Sequence, residues 1–201
     1  MHTVKKNKKL VRYVAMTGML SAVSAVLMML SFSVPLVPSF LKMDLSELPA
    51  LIASFSMGPL YGAVVCLIKN LVNLPMSTTG GIGELANFLL GCLFVVPAGW
   101  IYHLKKDRKT ALLASLAGCV IMAIFSLPLN YYLTYPVYMK ILPLEAIIGM
   151  YQSILPSVNG LFECLLIFNV PFTLCRGLLD VLVTMLVYKR ISPLIKGRAD
   201  A

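Results

Sequence analysis

Arg176 and Asp180 are the residues best placed to do chemistry, because they are charged where charge is costly. They lie within residues 169–192, NVPFTLCRGLLDVLVTMLVYKRIS, a run long and apolar enough to cross a bilayer. An ionised group at the bilayer centre costs roughly 2.5–3.5 kcal/mol on insertion scales, so such a group must face protein or a water-filled pocket. Four residues apart on a helix, the two share a face. Either they pair with each other and serve packing, or Arg176 points into a binding pocket and Asp180 holds its guanidinium in place. Asn130 adds an amide near the outer end of another apolar helix, where it can bond a neighbouring helix or a ligand.

Binding is the chemistry this set supports; catalysis is not. The sequence contains no Walker A loop, HExxH, GxSxG or CxxC pair. The glycine run at 80–83 follows no strand and precedes no Gly-Lys-Ser/Thr, so it is a turn and not a phosphate loop. His2 and His103 lie at flanks, and the carboxylates are scattered. No catalytic residue, metal site or resident cofactor is therefore expected. The chain cannot hydrolyse ATP itself, and uphill transport would draw on partners or an ion gradient.

The elements that position these residues are read from composition. The 201 residues are 59% hydrophobic and 12% charged, against about 25% charged in soluble domains. This is the profile of an all-α integral membrane protein forming one membrane domain over 1–201. The net charge of +9 does not point to nucleic acid, because it is clustered. Lys5, Lys6, Lys8, Lys9 and Arg12 cluster at the start of the first apolar run. Lys105, Lys106, Arg108 and Lys109 form a central loop, and Lys189, Arg190, Lys196 and Arg198 close the chain. Thirteen of the seventeen basic residues thus read as cytoplasmic flanks. Cys66, Cys92, Cys119, Cys164 and Cys175 lie in apolar segments, as small core filler. The apolar run from Leu10 is too long for the h-region of a cleavable signal.

Six helices are expected, at about 10–34, 46–57, 58–73, 84–104, 110–135 and 158–189, with an outer loop at 35–45. About 20 apolar residues suffice to span, so the second and third are short, split at Gly58-Pro59. Short or broken segments in transporters border binding sites. Ser46 is expected to cap the second helix, Lys69 to snorkel to an interface, Glu84 to sit in the first turn of the fourth helix, and Trp100 and Tyr102 to mark its interfacial end. The segment 136–157 is expected to be a looser outer stretch. An even number of crossings places both termini inside, in agreement with all three basic clusters. On the first helix, Gly18 with Ala22 and Ser21 with Ala25 form small-xxx-small pairs that let another helix approach.

Residues 40–51 (FLKMDLSELPAL), Gly58-Pro59, Lys69-Asn70, residues 83–88 (GELANF), residues 130–132 (NYY) and Pro171-Phe172 occur in one order along nearly the whole chain. In these blocks the sequence resembles the substrate-binding S components of energy-coupling factor (ECF) transporters, of the riboflavin type. The resemblance implies the six-helix S-component fold in a bacterial plasma membrane. It implies a vitamin site beneath the first outer loop, and docking on a membrane-embedded T subunit driven by two ATPase subunits. Small residues of the first helix would face the T subunit: Gly18 and Ala22, with Ser21 and Ala25 as the second candidate pair. Substrate contacts would come from Leu41 and Met43 of the outer loop, Asn130, Phe172, Thr173 and Arg176. The riboflavin type carries Phe-Asn-x-x-Lys on the last helix, where this chain has Phe172-Thr173-Leu174-Cys175-Arg176. Threonine lacks the paired donor and acceptor of an amide, and arginine is flat, forked and able to stack on a ring. Riboflavin is the expected transported ligand. Arg176 also suits an acidic vitamin such as pantothenate, and a membrane bundle without transport function is the remaining alternative.

Overall fold

The structure, a computed structural model, describes residues 2–77 and 79–195, with side chains over 10–77 and 79–187. Helix α1 (His2–Met29) leads into a two-residue antiparallel pair, β1 (Phe32–Ser33) and β2 (Lys42–Met43), in the register Phe32↔Met43. The chain then forms α2 (Glu47–Met57), α3 (Pro59–Asn73), α4 (Ile82–Leu104), α5 (Arg108–Leu129) and α6 (Tyr135–Tyr138). It ends with α7 (Leu144–Gln152), α8 (Leu161–Cys164) and α9 (Val170–Ile195). The basic side chains of Lys5, Lys6, Lys8, Lys9, Lys189, Arg190, Lys196 and Arg198 lie outside the described residues.

Five stretches are long and apolar enough to cross a membrane: Leu10–Met29, Pro59–Met76, Ile82–Leu104, Arg108–Tyr138 and Leu161–Val187. The remaining helix of the expected six is α2, apolar but only 11 residues long, which reaches about 16 Å at ~1.5 Å per residue. Gly58, at φ +122°, makes the tight reversal from α2 into α3, a conformation that favours glycine. The six-helix reading therefore holds, with adjusted boundaries. The first helix stops at Met29 instead of 34, because the residues before Pro35 enter the hairpin. Segment 136–157 is not loose; it carries α6 and α7.

Two five-residue π-turns interrupt the long helices. Residues Asn130–Thr134 join α5 to α6, and Leu165–Asn169 join α8 to α9. Each spans the carbonyl four residues before a proline, Pro136 or Pro171, where the ring has no N–H to offer and would collide with a regular turn. Pro97 and Pro128 are accommodated without a bulge. At the far end, the Asp107 carboxylate caps α5 by accepting from the Thr110 N–H at 2.7 Å.

Packing relies on small residues where helices cross. A Cβ at Gly118 would overlap the Phe94 carbonyl, and one at Gly99 would overlap Ser54 Oγ, so α4 meets both neighbours at backbone distance. Around these crossings lies a core that includes Phe55, Phe94 and Tyr102. Tyr102 is fully buried against Phe55, with centroids 4.4 Å apart, so only Trp100 has the exposure of an interfacial anchor. A second cluster, with Tyr135, Tyr151, Leu165 and Phe168, closes the other end under α7. Cys66, Cys119 and Cys164 are buried filler as expected, Cys92 is half-buried, and Cys175 is exposed.

Candidate binding site

The C-terminal ends of α1 and α3, the start of α4 and the two π-turns converge on one end of the bundle, beneath the hairpin. They enclose a cavity of about 400 Å³, within the size range of small-molecule sites. The Gly58 turn and the Lys105–Asp107 loop lie at the opposite end, since α2 through α5 alternate in direction.

An ionic cluster forms the inner side of this cavity. Asp44 follows β2, and its carboxylate accepts the Ser46 N–H at 2.8 Å, which fixes the start of α2. Glu47, in the first turn of α2, is 1% exposed and accepts from Lys69 Nζ at 2.7 Å. Lys69, on α3, is fully buried and also donates to Ser46 Oγ at 2.6 Å. Arg176 Nη2 donates to Asp44 at 3.1 Å, Asn87 Oδ1 at 3.2 Å and Glu47 at 3.4 Å. Hairpin, α2, α3, α4 and α9 are thus pinned together by two cations and two carboxylates. Burial raises the Asp44 carboxyl, but the Arg176 guanidinium and the Lys69 ammonium outweigh it and hold the group below its usual 3.8.

Three sequence expectations are corrected here. Asp180 does not hold Arg176: it is fully buried, neither carboxylate oxygen has a hydrogen-bond partner among the described residues, and the guanidinium turns to Asp44 and Glu47 instead. Lys69 does not snorkel, because Glu47 and Ser46 satisfy its ammonium inside the bundle. Ser46 does not cap α2 with its hydroxyl, which accepts from Lys69. Glu84 does lie in the first turn of α4, and accepts from Ser77 Oγ at 2.6 Å.

Of the expected contact residues, Leu41, Asn130, Phe172, Thr173 and Arg176 line the cavity; Met43 does not. Met43 pairs with Phe32 in the hairpin, and Lys42, facing the other way, lines the cavity in its place. Asn130 donates one amide N–H to the Ser126 carbonyl at 2.8 Å and keeps its remaining capacity. Ser21 and Ala25 are buried within the bundle at 1% and 4% exposure, which removes them as a docking pair; Gly18 and Ala22 face outward, with open space where a Cβ of Gly18 would stand.

Sequence reasoning missed Asp44, Glu47, Asn87 and Asn169 as site residues. The available signal for the carboxylates was charge balance: Asp44, Glu47 and Lys69, in or beside short apolar segments, and Arg176 and Asp180 on the last helix all demand partners. Among the described residues no group of three or more His, Cys, Asp or Glu side chains is arranged to hold a metal ion.

A family model described as "ECF transporter, substrate-specific component" matches residues 12–188. The chain is 32% identical over 193 residues to the riboflavin transporter RibU of Staphylococcus aureus (strain TCH60), covering 96% of this chain and 95% of that one. It is 32% identical over 199 residues to the riboflavin transporter FmnP of Bacillus subtilis (strain 168), with 98% of each covered. A solved structure titled "Structure and mechanism of the S component of a bacterial ECF transporter" superposes with a TM-score of 0.73 at 30% identity, over 92% of this chain and 98% of that chain.

Proposed function

The chain belongs to the substrate-specific components of ECF transporters, and from that premise we propose that it is the riboflavin-binding subunit of an ATP-dependent vitamin uptake system. Members of this family are transporter components and not enzymes, and this one is a multi-pass membrane protein. S components work with a membrane-embedded T subunit and a pair of ATPases, which supply the energy this chain has no motif to harvest.

The observation that carries the choice of ligand is the charge balance of the cavity. Asp44, Glu47 and Glu84 line it with three carboxylates, Lys42 and Arg176 line it with two cations, and Lys69 stands behind Glu47 as a third. A site with no surplus positive charge favours a neutral solute over an acidic vitamin such as pantothenate. Riboflavin is neutral. Its tricyclic ring suits the apolar side chains of Leu41 and Phe172, and its carbonyls, ring nitrogens and ribityl hydroxyls suit Asn130, Thr173 and Arg176. Purified protein is expected to be yellow, or to quench the fluorescence of added riboflavin in a saturable titration. A colourless preparation that leaves flavin emission unchanged would overturn the reading.

In this proposal the cavity end faces outward, and the Lys105–Asp107 end faces the cytoplasm with both termini. The outward stripe of α1 at Gly18 and Ala22 is the docking face for the T subunit. Gly18→Leu is therefore expected to reduce co-purification with co-expressed T and ATPase subunits at least about tenfold, the loss of one close helix contact. Riboflavin quenching should be unaffected. A normal complex from Gly18→Leu moves the docking face elsewhere.

A further inference from the structure

Asn169 closes the π-turn at the head of α9 and is 2% exposed, yet it is one of the residues lining the cavity. Behind it stand two buried phenols. Tyr151 of α7 donates to Asn169 Oδ1 at 2.8 Å, Asn169 Nδ2 donates to the Tyr135 oxygen at 3.2 Å, and the two tyrosine hydroxyls bond each other. The three side chains form a closed ring, in which each group donates once and accepts once.

That ring fixes what the amide has left. A carboxamide has two N–H donors and two acceptor lone pairs. The ring uses one of each, and reversing the sense of all three bonds gives the same count. Asn169 therefore keeps one N–H and one lone pair, in a plane locked by two tyrosines that are themselves 1% and 0% exposed. A second observation points the same way. Thr134, on the facing π-turn, lines the same cavity, is 3% exposed, and its hydroxyl is buried without a hydrogen-bond partner among the described residues. Polar groups held in a desolvated wall with capacity to spare are matched to a ligand that completes them.

We propose that Asn169 is a specificity-determining residue that reads a donor–acceptor edge of the ligand, a lactam or imide, with Tyr135 and Tyr151 as its positioning residues. It lies one helical turn before Thr173, on the same face. The amide that Thr173 lacks is thereby supplied from one turn earlier on the same helix. The inference rests on the riboflavin reading, where the matching group is the imide of the pyrimidine ring.

The test compares riboflavin with N3-methylriboflavin, which lacks the imide N–H, by fluorescence quenching on purified protein in detergent. Wild type should bind riboflavin about tenfold more tightly than the methylated analogue, as expected for one desolvated hydrogen bond. Asn169→Leu should lose about that factor for riboflavin, leave the analogue nearly unchanged, and collapse the ratio toward one. Tyr151→Phe, which breaks the ring without touching the cavity, should lower the ratio about threefold through a less fixed amide. It carries the test alone if Asn169→Leu does not purify as a folded protein. Equal loss for both ligands, or a ratio that neither variant moves, overturns the inference while leaving riboflavin binding intact. A wild type that binds neither ligand overturns the riboflavin reading first, and this one with it.

Discussion

Lys69→Met is expected to cost about 3–5 kcal/mol of stability, the usual consequence of removing one partner from a buried ion pair. The reason lies in what is left behind. Glu47 is 1% exposed and receives its shortest hydrogen bond, 2.7 Å, from Lys69. Without that donor it retains Arg176 at 3.4 Å, a cation already committed to Asp44 and Asn87, and the weak Cys66 thiol at 3.4 Å. Ser46 loses its ammonium partner in the same step. A carboxylate that is 1% exposed is then left with only a shared cation to offset its desolvation.

The double variant Lys69→Met/Glu47→Leu discriminates a structural pair from a general intolerance of the site. It removes both charges together and leaves Arg176 with Asp44, so it should recover at least half of the loss seen in Lys69→Met. Unfolding of purified protein in mixed micelles of increasing denaturing detergent reads both variants. If the double variant is as unstable as the sum of its singles, the two side chains do not act as a pair, and the role assigned to the cluster is wrong.

The limits of the sequence follow from the same cluster. Spans were legible wherever apolar runs exceed a bilayer's thickness, and Arg176 was legible because a charge inside such a run demands a reason. The direction of its fork was not. Helical spacing puts Asp180 on the same face as Arg176, four residues away, and a local rule prefers the local partner. The structure instead joins Arg176 to Asp44, a separation of 132 residues in sequence, through a hairpin whose two-residue strands give almost no periodic signal. Met43 was misplaced for a related reason: in a strand, a shift of one position exchanges the cavity face for the other side, and nothing in FLKMD sets that register. The π-turns were visible only as prolines near Asn130 and Asn169. A proline predicts a disturbed helix, but not which side chain the disturbance turns inward.

Arg176→Met is expected to weaken riboflavin binding by about 30-fold to several thousand-fold, the range for truncating one member of a desolvated, hydrogen-bonded charge pair at about 1.4 kcal/mol per decade. Two effects contribute and can be separated. The guanidinium contacts the ligand in the proposed site, and it also tethers the outer hairpin through Asp44 at 3.1 Å. Asp44→Asn weakens the tether but leaves the cation in the cavity, next to Glu47 and Asn87. If tethering were the whole role, Asp44→Asn would reproduce the loss. If Arg176 reads the ligand, Arg176→Met should be at least about tenfold weaker than Asp44→Asn, a difference of one charge-assisted hydrogen bond. Arg176→Lys restores charge without the planar fork, and its single ammonium cannot hold Asp44 and Asn87 while also facing a flat ring. It should therefore fall between the other two. Dissociation constants from flavin quenching, measured on all three variants beside wild type, decide the matter: an Arg176→Met protein that binds within about threefold of wild type, less than one net hydrogen bond, would reduce this residue to packing.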